Sequence, residues 1–215
     1  MNKKMNKTID GIFDKDYLIS KGVDESLAAI LLSHRDWLKF ISDNREELGE
    51  SMLNVGLSDD SSSHSWVSFF LNVLNFKNIT ILEFHKPNYD SIVEKFKDNE
   101  NVKVILGDVR QASDLVKETS DFCFWWHGPE HIPEEDLPKA LGELKSLCNK
   151  AILWACPWGS YYANGPGNYL GDGHHFYPEN EHFTSLGMQV FNTGGEKNTG
   201  GANISAYLFK GAQQW

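Results

Sequence analysis

The sequence lacks any apolar run approaching the ~20 residues a membrane span needs, because Ser, Asn or a charged residue interrupts each candidate. No membrane partner is expected. Cysteine is scarce: Cys123, Cys148 and Cys156 are odd in number and lie in or beside apolar runs. That reads as reduced, buried thiols in a cytoplasmic protein and argues against a disulfide framework. Positive charge is also in short supply, with 20 Lys and Arg against 30 Asp and Glu and a net charge of -10. Such a chain repels a phosphate backbone unless a local basic patch overrides it, so a general nucleic-acid binder is not expected. The first residues, Met-Asn-Lys-Lys followed by polar residues and Asp10, lack the apolar stretch of a secretory signal and read as a frayed start. Repeats and low-complexity tracts are missing too.

What is present suffices for one core. The chain has 215 residues, 40% of them hydrophobic, which favours a single domain with a short appendage. Residues 1–50 are expected to form a helical segment that covers the site as a lid, and residues 51–215 the domain itself. Within 1–50, Leu27, Ile30, Leu31, Leu38 and Ile41 recur at helical spacing behind Asp24, predicting one helix over 24–41. From Ser51 onward, short apolar runs alternate with helical stripes. The runs Met52–Gly56, Ile79–Phe84, Val102–Leu106, Phe122–Trp126 and Ala151–Cys156 read as buried parallel strands. Stripes at Trp66, Phe70, Val73 and Leu74, at Tyr89, Ile92, Val93 and Phe96, and at Leu137, Leu141 and Leu144 can each pack a helix on the sheet. Pro178–Leu186 reads as a short helix. Met188–Phe191 and Ile204–Phe209 flank a Gly/Asn-rich connection without helical pattern, which predicts a carboxyl-terminal antiparallel hairpin. The fold class is therefore α/β.

Ligands of an open parallel sheet bind outside the carboxyl ends of its strands. Gly56, Leu57 and Ser58 end the first strand, where a glycine lets backbone approach a ligand closely. Glu83, 27 positions after Gly56, is placed to accept from both hydroxyls of an adenosine ribose, with Phe84 beside it. Asp108 and Val109 follow the third strand and can meet the adenine amino group and a ring nitrogen. Each also has a purely structural reading: a strand-to-helix turn at Gly56, a solvated strand-end carboxylate at Glu83 and a helix cap at Asp108. Their convergence on three successive strand ends favours one nucleoside crevice.

Leu53–Ser58, Ile81–Glu83, Gly107–Val109 and Phe122–Ile132 together resemble the class I S-adenosylmethionine-dependent methyltransferase family, over most of the chain after Ser51. The family's Gly-x-Gly-x-Gly loop stands here as Gly56-Leu57-Ser58-Asp59-Asp60, and the usual acid before it is Asn54. The resemblance implies a Rossmann-like three-layer sandwich, with S-adenosylmethionine held by Gly56, Leu57, Ser58, Glu83, Phe84, Asp108, Val109 and Trp126. Trp125-Trp126-His127-Gly128-Pro129-Glu130-His131-Ile132 resembles the post-strand motif of small-molecule methyltransferases and by that likeness faces the transferred methyl group. His127 is then the expected base, with Glu130 and His131 orienting or replacing it. Trp158, Tyr161, Tyr162, His174 and His175 lie in a long polar and aromatic loop suited to a small polar acceptor, such as a saccharide hydroxyl. His127, His131, His174 and His175, with Glu130 or Asp172, match no zinc spacing, so no metal is expected. Two other readings stand beside this one: an inactive module that kept the fold, and a Rossmann-type nucleotide-sugar or nicotinamide enzyme. The latter requires a helix between Phe191 and Ile204.

Overall fold

The computed structural model describes residues 9–58, 60–160 and 173–211. Helices α1 (Lys15–Ser20), α2 (Glu25–Ser33), α3 (Arg35–Asp43) and the single turn α4 (Arg45–Leu48) precede the first strand. The alternating part then runs β1 (Ser51–Val55), α5 (Ser61–Ser68), β2 (Asn78–Glu83), α6 (Lys86–Phe96), β3 (Val102–Leu106), α7 (Ala112–Leu115), β4 (Ser120–Trp126), α8 (Leu137–Leu147) and β5 (Cys148–Pro157). It ends with α9 (Asn180–Thr184), β6 (Gln189–Thr193) and β7 (Asn203–Phe209).

The seven strands form one sheet in the order β3-β2-β1-β4-β5-β7-β6. Strands β1 to β5 pair in parallel, whereas β7 is antiparallel to both β5 and β6. Alternation along each strand divides the core. Met52, Ile79, Ile81, Phe122, Phe124 and Leu153 face a layer made by α1–α3, α5 and Ile92 of α6. Leu53, Leu82, Cys123, Trp125, Ile152 and Trp154 face α7, α8 and Phe183 of α9. Helices thus cover both faces of a mostly parallel sheet, as the apolar patterning predicts.

One expectation changes, and one rival reading loses its support. The predicted helix over 24–41 is two helices, because His34 leaves helical geometry (φ -105°, ψ 51°) between α2 and α3. Its buried ring instead bonds Thr193 and Asn203 of the hairpin. Among the described residues no helix lies between Phe191 and Ile204, where β6 and β7 are joined by turns. This removes the feature on which the dinucleotide-enzyme reading depended. No helix among the described residues is long and apolar enough to cross a membrane.

Candidate active site

The strand order reverses direction between β1 and β4, which lie side by side with Val55 opposite Trp125. At such a switch point the loops after the two strands diverge and leave a crevice. Gly56 enters it with φ +71°, a conformation that favours glycine, and a Cβ built there meets nothing within 4 Å among the described residues. The backbone at this point is therefore open among the described residues. Its N–H donates to Leu82 O at 2.8 Å, so β1 and β2 stay in register to their ends.

Glu83 closes β2 with its side chain only 4% exposed. Leu57 N–H donates to Oε2 and His85 N–H to Oε1, each at 2.7 Å. Burial pushes the Glu83 carboxyl pKa up, while these amide bonds and the nearby His85 pull it back. Each carboxylate oxygen has a second lone pair, so these bonds leave acceptor capacity. The Glu83 carbonyl accepts from Gly107 N–H at 2.9 Å, which sets the end of β3 alongside. Phe84 (61% exposed), Leu106 and Leu115 are large apolar side chains exposed near these ends. Gly56, Glu83 and Gly107–Asp108 thus stand side by side, as the sequence predicts.

The carboxylate of Asp108 has partners that the sequence reading did not assign. It accepts from Arg110 N–H at 2.8 Å and from the Arg110 guanidinium at 2.6–3.0 Å, while Arg110 also reaches Asp136 at 2.8 Å. Burial would raise its pKa, and the Arg110 bonds and charge more than reverse this. Asp108 therefore holds the turn after β3, whereas the Val109 side chain is buried in the core behind it. Ser58 and Asp60 stand where the family has its later glycines. Asp60 accepts from Ser63 N–H at 2.8 Å, capping α5, and from the hydroxyls of Ser58, Ser62 and Ser63. Burial opposes its ionisation, but these bonds hold its pKa well below the usual carboxylate range. Leu57 is buried.

Across the crevice, His127 follows β4 in a left-handed conformation (φ +50°) that is uncommon for a non-glycine residue. Its N–H continues the ladder to Ala155 O at 2.7 Å. Gly128 follows because a Cβ there would lie 1.6 Å from Trp125 Nε1. The two tryptophans point to opposite faces: Trp125 meets Trp154 edge-on at 5.2 Å, while half-buried Trp126 packs among Trp37, Trp66 and His34 and stacks on His127.

A hydrogen-bond chain fixes the His127 ring. Nε2 lies 3.0 Å from Asn203 Oδ1, Asn203 Nδ2 lies 3.3 Å from His34 Nε2, and His34 Nδ1 lies 3.0 Å from Thr193 Oγ1. An amide oxygen only accepts and an amide nitrogen only donates. With the amide so oriented, His127 carries its proton on Nε2 and its basic lone pair on Nδ1, and His34 donates from Nδ1 to Thr193. The His127 residue is solvent-exposed while its ring stacks on Trp126 and bonds Asn203. Desolvation lowers its pKa to about 4, against the Asn203 bond and with help from His131, His34 and His174. The ring is neutral at pH 7. His34, Thr193 and Asn203 were not legible as site residues: His34 hides within a helical stripe, and the other two lie at hairpin ends that chain order does not place beside β4.

Glu130 and His131 form the next turn, with His131 Nε2 3.8 Å from Glu130 Oε1. His174 meets the His131 ring edge-on at 5.2 Å, and His175 N–H donates to Glu130 O at 2.8 Å. Trp158 follows β5, its N–H bonded to Ala202 O at 2.9 Å. Tyr161 and Tyr162 lie outside the described residues.

No protein-family model matches the chain, and no curated protein matches it by sequence. Solved structures do match. The N-methyltransferase NodS from Bradyrhizobium japonicum WM9 superposes with a TM-score of 0.56 at 10% identity, covering 93% of this chain and 97% of its own. Magnesium protoporphyrin IX methyltransferase ChlM from Synechocystis PCC 6803, with bound S-adenosylhomocysteine, gives 0.53 at 10% identity over 91% of this chain and 85% of its own. TehB from Haemophilus influenzae gives 0.52 at 14% identity over 78% and 60%. The chain has the fold of class I S-adenosylmethionine-dependent methyltransferases.

Proposed function

We propose that the protein transfers a methyl group from S-adenosylmethionine to a hydroxyl of a small polar acceptor, with His127 as the base. The observation that carries this reading is the strand-end arrangement, where Gly56, with no described neighbour within 4 Å of a Cβ built on it, stands beside the buried carboxylate of Glu83. The residues suit the cofactor: the remaining lone pairs of Glu83 suit ribose hydroxyls, and exposed Phe84, Leu106 and Leu115 suit a nucleobase face. Leu57, Ser58, Asp108, Val109 and Trp126 complete the proposed cofactor contacts, Asp108 acting through the turn that it holds.

When bound, S-adenosylmethionine supplies a methyl carbon on cationic sulfur that an oxygen lone pair can displace, leaving a neutral thioether. The attacking hydroxyl becomes strongly acidic as its new C–O bond forms, so even a weakly basic neutral imidazole can accept the proton. His127 Nδ1 takes it, and the Asn203–His34–Thr193 chain keeps the ring oriented, an arrangement that favours reaction by lowering the cost of alignment. Trp158, His174 and His175, with Tyr161 and Tyr162, are the proposed acceptor contacts, and a saccharide is the first acceptor class to test. The experiment is incubation with labelled cofactor and a panel of sugars and sugar-linked metabolites. Gain of one methyl group by wild type but not by His127→Asn supports the reading; label retained with no acceptor modified counts against it.

A second reading keeps the fold without catalysis. It is favoured by the Glu83 carboxylate already bonded to Leu57 and His85 N–H and by the single retained loop glycine. It predicts that neither cofactor nor product binds.

A further inference from the structure

Beyond the proposed methyl transfer, a second set of side chains gathers beside His127. Glu130, His131 and His174 each offer one donor atom, and these three atoms all lie within 4.8 Å of one another. Glu130 sits in the turn Pro129–His131 with 0% exposure. A carboxylate removed from water to that degree is stabilised by hydrogen bonds, by protonation or by a cation, and half-buried His131 lies 3.8 Å from it. The bond from His175 N–H to the Glu130 carbonyl ties the His174 segment to the same turn. The grouping is thus held by backbone as well as by side-chain packing.

We propose that Glu130, His131 and His174 bind a divalent first-row transition-metal ion. Two imidazoles and one carboxylate favour Mn²⁺, Fe²⁺, Co²⁺ or Zn²⁺ over Mg²⁺ or Ca²⁺, which prefer oxygen donors throughout. Bonds of roughly 2.0–2.2 Å place neighbouring donors about 3–4 Å apart, so closure needs a movement of about an ångström, within reach of side-chain rotation. Three protein ligands leave coordination positions for water or for an acceptor oxygen. This departs from the sequence reading, which expected no metal. The ligand from position 174 lies far along the chain from Glu130 and His131, and no linear spacing reveals it.

Metal binding itself does not depend on the methyl-transfer reading. Only the further role does: an ion here would hold the acceptor oxygen beside the base and make its proton easier to lose. Chelator-treated full-length protein is titrated with Co²⁺ and followed by calorimetry and by visible absorption, which reports histidine coordination. The expected result is one ion per chain, with His131→Ala and His174→Ala each weakening binding at least about tenfold. Far-ultraviolet circular dichroism checks that both variants remain folded, and Glu130→Gln, which keeps the side-chain volume, gives the same loss if they do not. Absence of one-to-one binding by wild type, or equal affinity in folded variants, overturns the proposal. S-adenosylhomocysteine binding is measured in parallel. If it persists while Co²⁺ fails to bind, the metal site alone falls; if Co²⁺ binds and the nucleoside does not, the cofactor reading alone falls.

Discussion

His127 holds a backbone conformation that costs an ordinary side chain on the order of 1 kcal/mol or more, and it holds it at a strand end facing the crevice. Asparagine tolerates the same conformation. His127→Asn keeps that conformation but loses the ring's bond to Asn203, so unfolding free energy in urea should fall by no more than about 1–1.5 kcal/mol while methyl transfer falls about 100-fold or more. A variant that loses stability and activity in proportion would contradict a catalytic role. Asn203 is 2% exposed and bonds two imidazoles at once. Asn203→Leu removes a bond from each imidazole and leaves buried His34 Nε2 without that partner, so urea unfolding should show a loss of about 1–3 kcal/mol. Residue identity alone pointed to His127, Glu83 and Gly56, because acid, base and glycine at strand ends carry chemical meaning. It did not point to His34 or Asn203, whose importance comes from contacts between distant segments.

At the level of elements, the break between α2 and α3 joins the covering layer to the hairpin through His34. Burial lowers the His34 pKa. The folded state therefore binds fewer protons than the unfolded state over the interval below the unfolded value of ~6.5. The stability associated with neutral His34 is complete above that value and is lost as pH falls toward the lower folded value. Between pH 7 and 5, His34→Gln should show a shallower fall in unfolding free energy than wild type; equal slopes would place the titration elsewhere. The connection from β1 to α5 offers a separate test. A side chain at Gly56 meets no described neighbour but must adopt φ +71°, so Gly56→Val should cost about 1–2 kcal/mol and block ligand entry. The strands were legible element by element, since short apolar runs lie within β1–β5, although edge strand β3, expected to be buried, is only partly so. The α2–α3 break was not, because Leu31 and Leu38 keep helical phase across it while the cause lies at Thr193 and Asn203.

For the molecule as a whole, alternation of apolar runs and helical stripes made a doubly covered parallel sheet readable, and the Gly/Asn-rich connection signalled the terminal hairpin. The side-by-side order of strand ends then follows from topology, which explains why three modest signals at Gly56, Glu83 and Asp108 meet at one edge. Topology does not fix side-chain partners, and Asp108 turned inward to Arg110 for that reason. The most direct measurement is calorimetric titration of wild type and Glu83→Ala with S-adenosylhomocysteine, each protein first checked for folding. Wild type should bind one molecule per chain, and Glu83→Ala should weaken that binding at least about tenfold, the equivalent of ~1.4 kcal/mol. No binding by wild type, or the same affinity in a folded Glu83→Ala variant, would contradict the assignment of this crevice to the cofactor.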